Sequence, residues 1–131
     1  METSVLKNQF KNSLPHGYWE VYHGNGNLFY RGIYNYSQEH GYWEIYFPNC
    51  QLKCKGNYVY GKSDGYWEEF YSDGKLKYKG TYNKGRLDGY FEDYFYNGQL
   101  HFKGNYRNSE EVGYWEYHYV NGQILKEYFY I

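Results

Sequence analysis

The chain has 131 residues, with 22 Tyr, 8 Phe and 4 Trp against 8 Leu, 5 Val, 4 Ile and no Ala, and Lys+Arg (14) balances Asp+Glu (15) to a net charge of −1. So few aliphatic side chains argue against a thick core and long helices, and so many aromatics argue against disorder. The even charge excludes a general basic footprint for duplex nucleic acid or anionic lipid, no run reaches the ~18 apolar residues of a membrane span, and METSVLKNQFKN carries no signal-peptide pattern.

Residues 1–16 match the second half of a repeating unit, with Leu6 and Phe10 in its aromatic columns. From there GYWE begins at Gly17, Gly41, Gly65 and Gly113, and GYFE at Gly89, always 24 residues or a multiple of 24 apart. A fixed period of this length marks a repeat architecture. The units are 17–40, 41–64, 65–88, 89–112 and a shortened 113–131, within one repeat domain spanning 1–131.

Each unit predicts a β-hairpin. Tyr18, Glu20 and Tyr22 alternate with Trp19, Val21 and His23, and Leu28, Tyr30, Gly32 and Tyr34 alternate with Phe29, Arg31 and Ile33. Period two over about seven residues is the strand signature. Between the arms lies Asn25-Gly26, repeated as Asp73-Gly74, Asn97-Gly98 and Asn121-Gly122. A two-residue turn would set Glu20 opposite Arg31; a type I turn followed by a bulged Gly would set Trp19 there. Pro48-Asn49 favours the second, because Pro presets φ at the first turn position. A further turn, clearest in Asn83-Lys84-Gly85, joins each unit to the next. The expectation is an all-β, single-layer, elongated antiparallel meander of about eleven strands, stabilised by unit and neighbour terms.

On that register one face carries the tyrosine columns, with Gly32, Gly56, Gly80 and Gly104 among them. The other carries Trp19, Trp43, Trp67, Phe91 and Trp115, interleaved with Arg31, Lys55, Lys79 and Lys103. A single sheet cannot bury both faces, and an exposed aromatic and basic row marks a contact surface. This row is the expected binding site. The glutamate column Glu20, Glu44, Glu68, Glu92 and Glu116 recurs too widely spaced to share one metal ion, and reads as a set of partners for tyrosine hydroxyls. Cys50 and Cys54 lie too far apart along a strand for a disulfide and predict free thiols in a reducing compartment. No Ser-His-Asp, Cys-His or zinc spacing occurs, so neither catalytic residues, metal nor cofactor is expected.

Tyr78, Gly80, Tyr82 and, seven residues on, Gly89 resemble the YxGxW…G skeleton of MORN repeats, and the GYWExYxxNGxL half is similar to the variant MORN repeats of bacterial and large-DNA-virus proteins. The resemblance covers nearly the whole chain and implies a non-enzymatic scaffold that binds another protein. It also implies an alternative, an antitoxin or immunity protein, and allows phospholipid binding; the Trp/Lys row itself offers a place for single-stranded nucleic acid or a phosphoinositide. The implied location is the cytoplasm of a bacterium or of a virus-infected host cell. At the ends, Ser4–Phe10 suits a solvated edge strand. Gln123–Ile131 departs from the unit at Lys126, Glu127 and Tyr128; it suits either an edge that pairs with a second copy or one that Lys126 and Glu127 guard as gatekeeper charges.

Overall fold

The computed structural model describes residues 6–131. Twelve strands form one antiparallel sheet: β1 (Gln9–Lys11), β2 (Leu14–Tyr22), β3 (Leu28–Asn35), β4 (Gln38–Glu39), β5 (Gly41–Tyr46), β6 (Leu52–Val59), β7 (Lys62–Phe70), β8 (Leu76–Asn83), β9 (Arg86–Tyr94), β10 (Leu100–Arg107), β11 (Glu110–His118) and β12 (Ile124–Tyr130). Neighbours in space are neighbours in sequence, and β4 is a short piece on β3 split from β5 at His40. No helix occurs among the described residues. The all-β meander expected from the 24-residue period is the observed architecture. Of the expected first strand, Ser4 and Val5 lie outside the described residues, and β1 begins at Gln9.

Two turn chemistries alternate. Within each hairpin the Gly26 N–H bonds the His23 carbonyl (2.9 Å) and the His23 N–H bonds the Asn27 carbonyl (2.8 Å), with Gly26 at φ 90°. This is the type I turn with a bulged left-handed residue. Cys50 fills the same place at φ 73°. Between units the turn is tighter. Lys84 and Gly85 both have positive φ, as do Asn108 and Ser109, and the flanking pairs are Asn83↔Arg86 and Arg107↔Glu110. Two consecutive left-handed residues make a type I′ connection, which matches the strand twist.

The expected turn is present, but the expected register is not. Tyr22 pairs with Leu28, as that turn requires, yet Val21 pairs with Tyr30. Phe29 is an extra residue on β3, and this bulge moves every later pair by one position. Lys53, Lys77, His101 and Leu125 are skipped in the same way in the other hairpins. In consequence Glu20 faces Arg31 and Glu68 faces Lys79, whereas Trp19 and Trp67 face Gly32 and Gly80. The anticipated pairing of Trp67 with Lys79 is therefore corrected.

A one-residue slip exchanges the two faces of a strand. The tryptophans share their face with the glycine column and with Tyr34, Tyr58 and Tyr106, and this is the core. Trp43, Trp67, Phe91 and Trp115 are 3%, 5%, 7% and 0% exposed. Each indole lies on the glycine of the preceding hairpin: Trp43 on Gly32, Trp67 on Gly56, Trp115 on Gly104, with Phe91 on Gly80. The indole N–H then donates to the carbonyl one residue beyond that glycine, from Trp43 to Ile33 (3.1 Å), Trp67 to Asn57 (3.0 Å) and Trp115 to Asn105 (3.1 Å). Tyr34, Tyr58 and Tyr106 close each ring edge-on at centroid distances of 4.9 Å. The bare glycine lets a large ring lie flat against backbone, so one layer of side chains makes a dry core without a second sheet.

Candidate interaction face

The face opposite the tryptophans is built on the same five hairpins. Its central row alternates in charge across the sheet. Glu20 faces Arg31 across β2–β3, Arg31 faces Glu44 across β3–β5, and the order continues through Lys55, Glu68, Lys79, Glu92, Lys103 and Glu116. Each cation reaches the carboxylate of the next unit: Arg31 to Glu44 at 2.6 Å, Lys55 to Glu68 at 3.7 Å, Lys79 to Glu92 at 3.8 Å and Lys103 to Glu116 at 3.7 Å. Lys7 begins the row on Glu20 at 3.2 Å. Opposite charges directly across a ladder stabilise it, each by a few tenths of a kcal/mol at such exposure.

Tyrosines flank this row. The hydroxyls of Tyr18 and Tyr22 both donate to Glu20, that of Tyr94 to Glu92 and that of Tyr114 to Glu116. Hydrogen bonds from Tyr22, Tyr18 and Lys7 hold the Glu20 carboxyl at about 2, far below its ordinary 4.5. Burial works against ionisation of Glu92 and Glu116. Tyr94, Tyr90 and two lysines around the first, and His118, Tyr114 and Lys103 around the second, outweigh it and hold both carboxyls low. These glutamates are fully engaged in the sheet, as the reading of their column as tyrosine partners requires.

Farther along each strand the rings of Tyr42, Tyr66, Tyr90 and Tyr114 remain 43–52% exposed. Between successive rings run shallow grooves. One, of about 370 Å³, is lined by Tyr18, Arg31, Ile33, Tyr42 and Glu44; its counterpart near the other end is lined by Tyr90, Lys103, Asn105 and Tyr114. Equivalent rings stand two strands apart, roughly 9–10 Å. The groove floors differ from unit to unit, with Ile33, Asn57, Thr81 and Asn105 at the same position.

The structure thus divides the residues expected to form one binding row. Trp43, Trp67, Phe91 and Trp115 are core, and Trp19 is half-buried beneath Phe10 at a centroid distance of 5.2 Å. Arg31, Lys55, Lys79 and Lys103 stand on the other face, with side chains 38–46% exposed. No tryptophan meets these cations as a π partner. The cations over rings are instead such residues as Lys77 on Tyr71 and Lys126 on Tyr117. Tyr42, Tyr66, Tyr90 and Tyr114, which the expected register sets on the face opposite the cations, share the open face with them. The signal for that arrangement was the opposite charge of Glu20 and Arg31, which the alternative register would have paired.

Cys50 and Cys54 are both free; burial pushes the Cys54 thiol up to about 11. No helix among the described residues is long and apolar enough to cross a membrane. A family model described as a MORN repeat variant matches residues 15–36, 63–84 and 87–108. These stretches hold the hairpins β2–β3, β7–β8 and β9–β10. The stretches without a match carry the departures Pro48, Cys50 and Cys54, and Lys126, Glu127 and Tyr128, although their hairpins have the same turn and bulge. No curated protein matches the chain. With half of its length matched, and with the hairpin turn and bulge repeated through the rest, the chain belongs to the family of variant MORN repeats.

Proposed function

We propose that the chain is a non-catalytic scaffold that binds another protein through the open tyrosine and charge-row face. The carrying observation is the row of half-exposed tyrosines at two-strand intervals on a face that no other layer of the described residues covers. Tyrosine and arginine supply most interface hot spots, because they contribute large contact area with a polar end. The paired charges favour a protein over a polyanion. The four cations of the row, Arg31, Lys55, Lys79 and Lys103, each have a glutamate beside them, so the row offers little net attraction to phosphates. Ile33, Asn57, Thr81 and Asn105 vary the groove floors and would set the register of an extended partner. Two free cysteines suit a reducing interior, so the cytoplasm is the proposed site of action.

The test is affinity capture with the full chain and with a Tyr42→Ser, Tyr66→Ser, Tyr90→Ser variant. The expected outcome is one stoichiometric protein retained by the native chain and lost by the variant, with tryptophan emission and thermal midpoint little changed. Equal retention by both would overturn the assignment of this face. Toxicity of the captured protein when expressed alone would add a neutralising role. Salt-sensitive binding to anionic vesicles or to single-stranded oligonucleotides would replace the protein reading.

A further inference from the structure

The charge row ends irregularly. Where each earlier hairpin sets a cation across from its glutamate, β12 sets Glu127 across from Glu116. One position on, Tyr128 pairs with Trp115 in the column that elsewhere holds Gly32, Gly56, Gly80 and Gly104. An indole of a further unit would have no seat there, so β12 does not present the surface on which another repeat packs. It nevertheless exposes much apolar side chain, with Leu125 52%, Tyr128 50% and Phe129 68% accessible.

The backbone of β12 has a defined polarity. In an antiparallel ladder, residues alternate between pointing their N–H and C=O at one neighbour and at the other. In the first hairpin Glu20 and Tyr18 turn these groups towards β1: the Glu20 N–H and carbonyl bond the Asn8 side chain, and the Tyr18 carbonyl accepts from the Asn8 N–H. Their equivalents Glu116 and Tyr114 pair with Glu127 and Phe129. Glu127 and Phe129 therefore aim their own N–H and C=O groups away from β11, at the open edge, while Lys126, Tyr128 and Tyr130 spend theirs on β11.

We propose that this edge pairs with the same edge of a second copy, about a two-fold axis normal to the sheet at Tyr128. Such an axis requires one residue to face its own copy. An axis at Lys126 or at Glu127 sets like charges directly opposite each other, which destabilises the ladder. An axis at Phe129 sets the Glu127 carboxylate opposite the partner's apolar Ile131. The axis at Tyr128 stacks the two Tyr128 rings, sets Lys126 opposite the partner's Tyr130 and Leu125 opposite the partner's Ile131, and holds the two Glu127 diagonally apart. Glu127 and the partner's Phe129 exchange backbone hydrogen bonds on each side of the axis. The interaction is isologous and closes at two copies. One strand pair falls in the small, weak interface class, so the dimer is a concentration-dependent one. It uses a different surface from the tyrosine face, and the two proposals fail separately.

Sedimentation velocity on the full chain, from about 10 μM to about 500 μM, should show a shift from monomer to dimer and no larger species. Phe129→Pro removes an edge N–H while sparing the bonds to β11, so it should weaken dimerisation about tenfold or more with the β spectrum intact. In a Cys50→Gly, Cys54→Ala background, Tyr128→Cys should oxidise to a disulfide-linked dimer, because facing residues in a non-hydrogen-bonded pair have Cα atoms about 4.5 Å apart. Glu127→Cys should not. The Tyr42, Tyr66 and Tyr90 serine variant should dimerise like the native chain. A monomer throughout the range, a dimer indifferent to Phe129→Pro, or cross-linking at Glu127→Cys in place of Tyr128→Cys would overturn the proposal. Should Phe129→Pro misfold, the cross-linking pattern decides.

Discussion

At Gly56 and its equivalents a single hydrogen atom separates the observed fold from a clash. A Cβ there would fall inside the indole of Trp67, and at Gly104 inside that of Trp115. The neighbouring atoms are ring carbons packed on backbone, not the free end of a flexible side chain, so they cannot move aside cheaply. Gly56→Ala is therefore expected to cost about 3 kcal/mol or more, measured by chemical denaturation. Gly80→Ala should cost less, since Phe91 is smaller and carries no N–H bond to break. Equal and small effects at both positions would show that the indoles are not seated as described. Exchanging Trp43 and Trp67 for serine removes core side chains and should unfold the central hairpins.

Turn and bulge together decide the register of each hairpin, and turn side chains link one hairpin to the next. Asn25 Oδ1 accepts from the Asn27 N–H at 3.0 Å, and its amide donates to the Pro48 carbonyl of the next turn at 2.9 Å. Asn49 reaches Ser72 in the same way and Asn97 reaches Val120. Asp73 keeps the first of these bonds, to the Lys75 N–H, but a carboxylate has no N–H for the second. Asp73→Asn should supply the missing bridge to the turn at residues 95–98 and raise stability by about 0.5–1 kcal/mol in denaturant titration. A loss of stability would mean that the exposed Asp73–Lys75 pair, at 3.8 Å, matters more than the bridge. Turns were also the most legible elements: Asn-Gly, Asp-Gly and Pro48-Asn49 identified the connection within each hairpin, and the 24-residue period its repetition. The bulge at Phe29 was not legible, because residues Phe29, Lys53, Lys77, His101 and Leu125 share no side-chain chemistry that would announce it. That one unreadable residue was enough to put the tryptophans on the wrong face and so to misplace the candidate site.

Over the whole molecule, the charge row and the tyrosine hydroxyls couple stability to pH. Glu20 is held at about 2 in the folded chain against 4.5 ordinarily, and Glu92 and Glu116 are also held low. A carboxyl lowered by folding stabilises the fold above its unfolded value, and that contribution disappears as pH falls through the folded value. Denaturation midpoints followed by tryptophan emission should therefore fall between about pH 4.5 and about pH 2, and Glu20→Gln should flatten the decline. A profile unchanged by that substitution would show that the hydrogen bonds to Glu20 do not distinguish folded from unfolded chain. At the alkaline end the hydroxyls of Tyr58 and Tyr90 are pushed up to about 12, mainly by burial and, for Tyr90, also by Glu92. Their contribution is complete below about pH 10 and is lost as pH rises through the folded value of about 12.

The seating of each indole on the preceding hairpin also gives the array a direction. Gly32 is in place before Trp43 has been synthesised, Gly56 before Trp67, and Gly104 before Trp115. A growing chain leaving the ribosome therefore completes every docking site ahead of the ring that fills it. Each hairpin can close as it emerges, without waiting for residues still to be translated. An array seated in the opposite sense would leave a bare indole exposed at the front of synthesis until the next hairpin arrived.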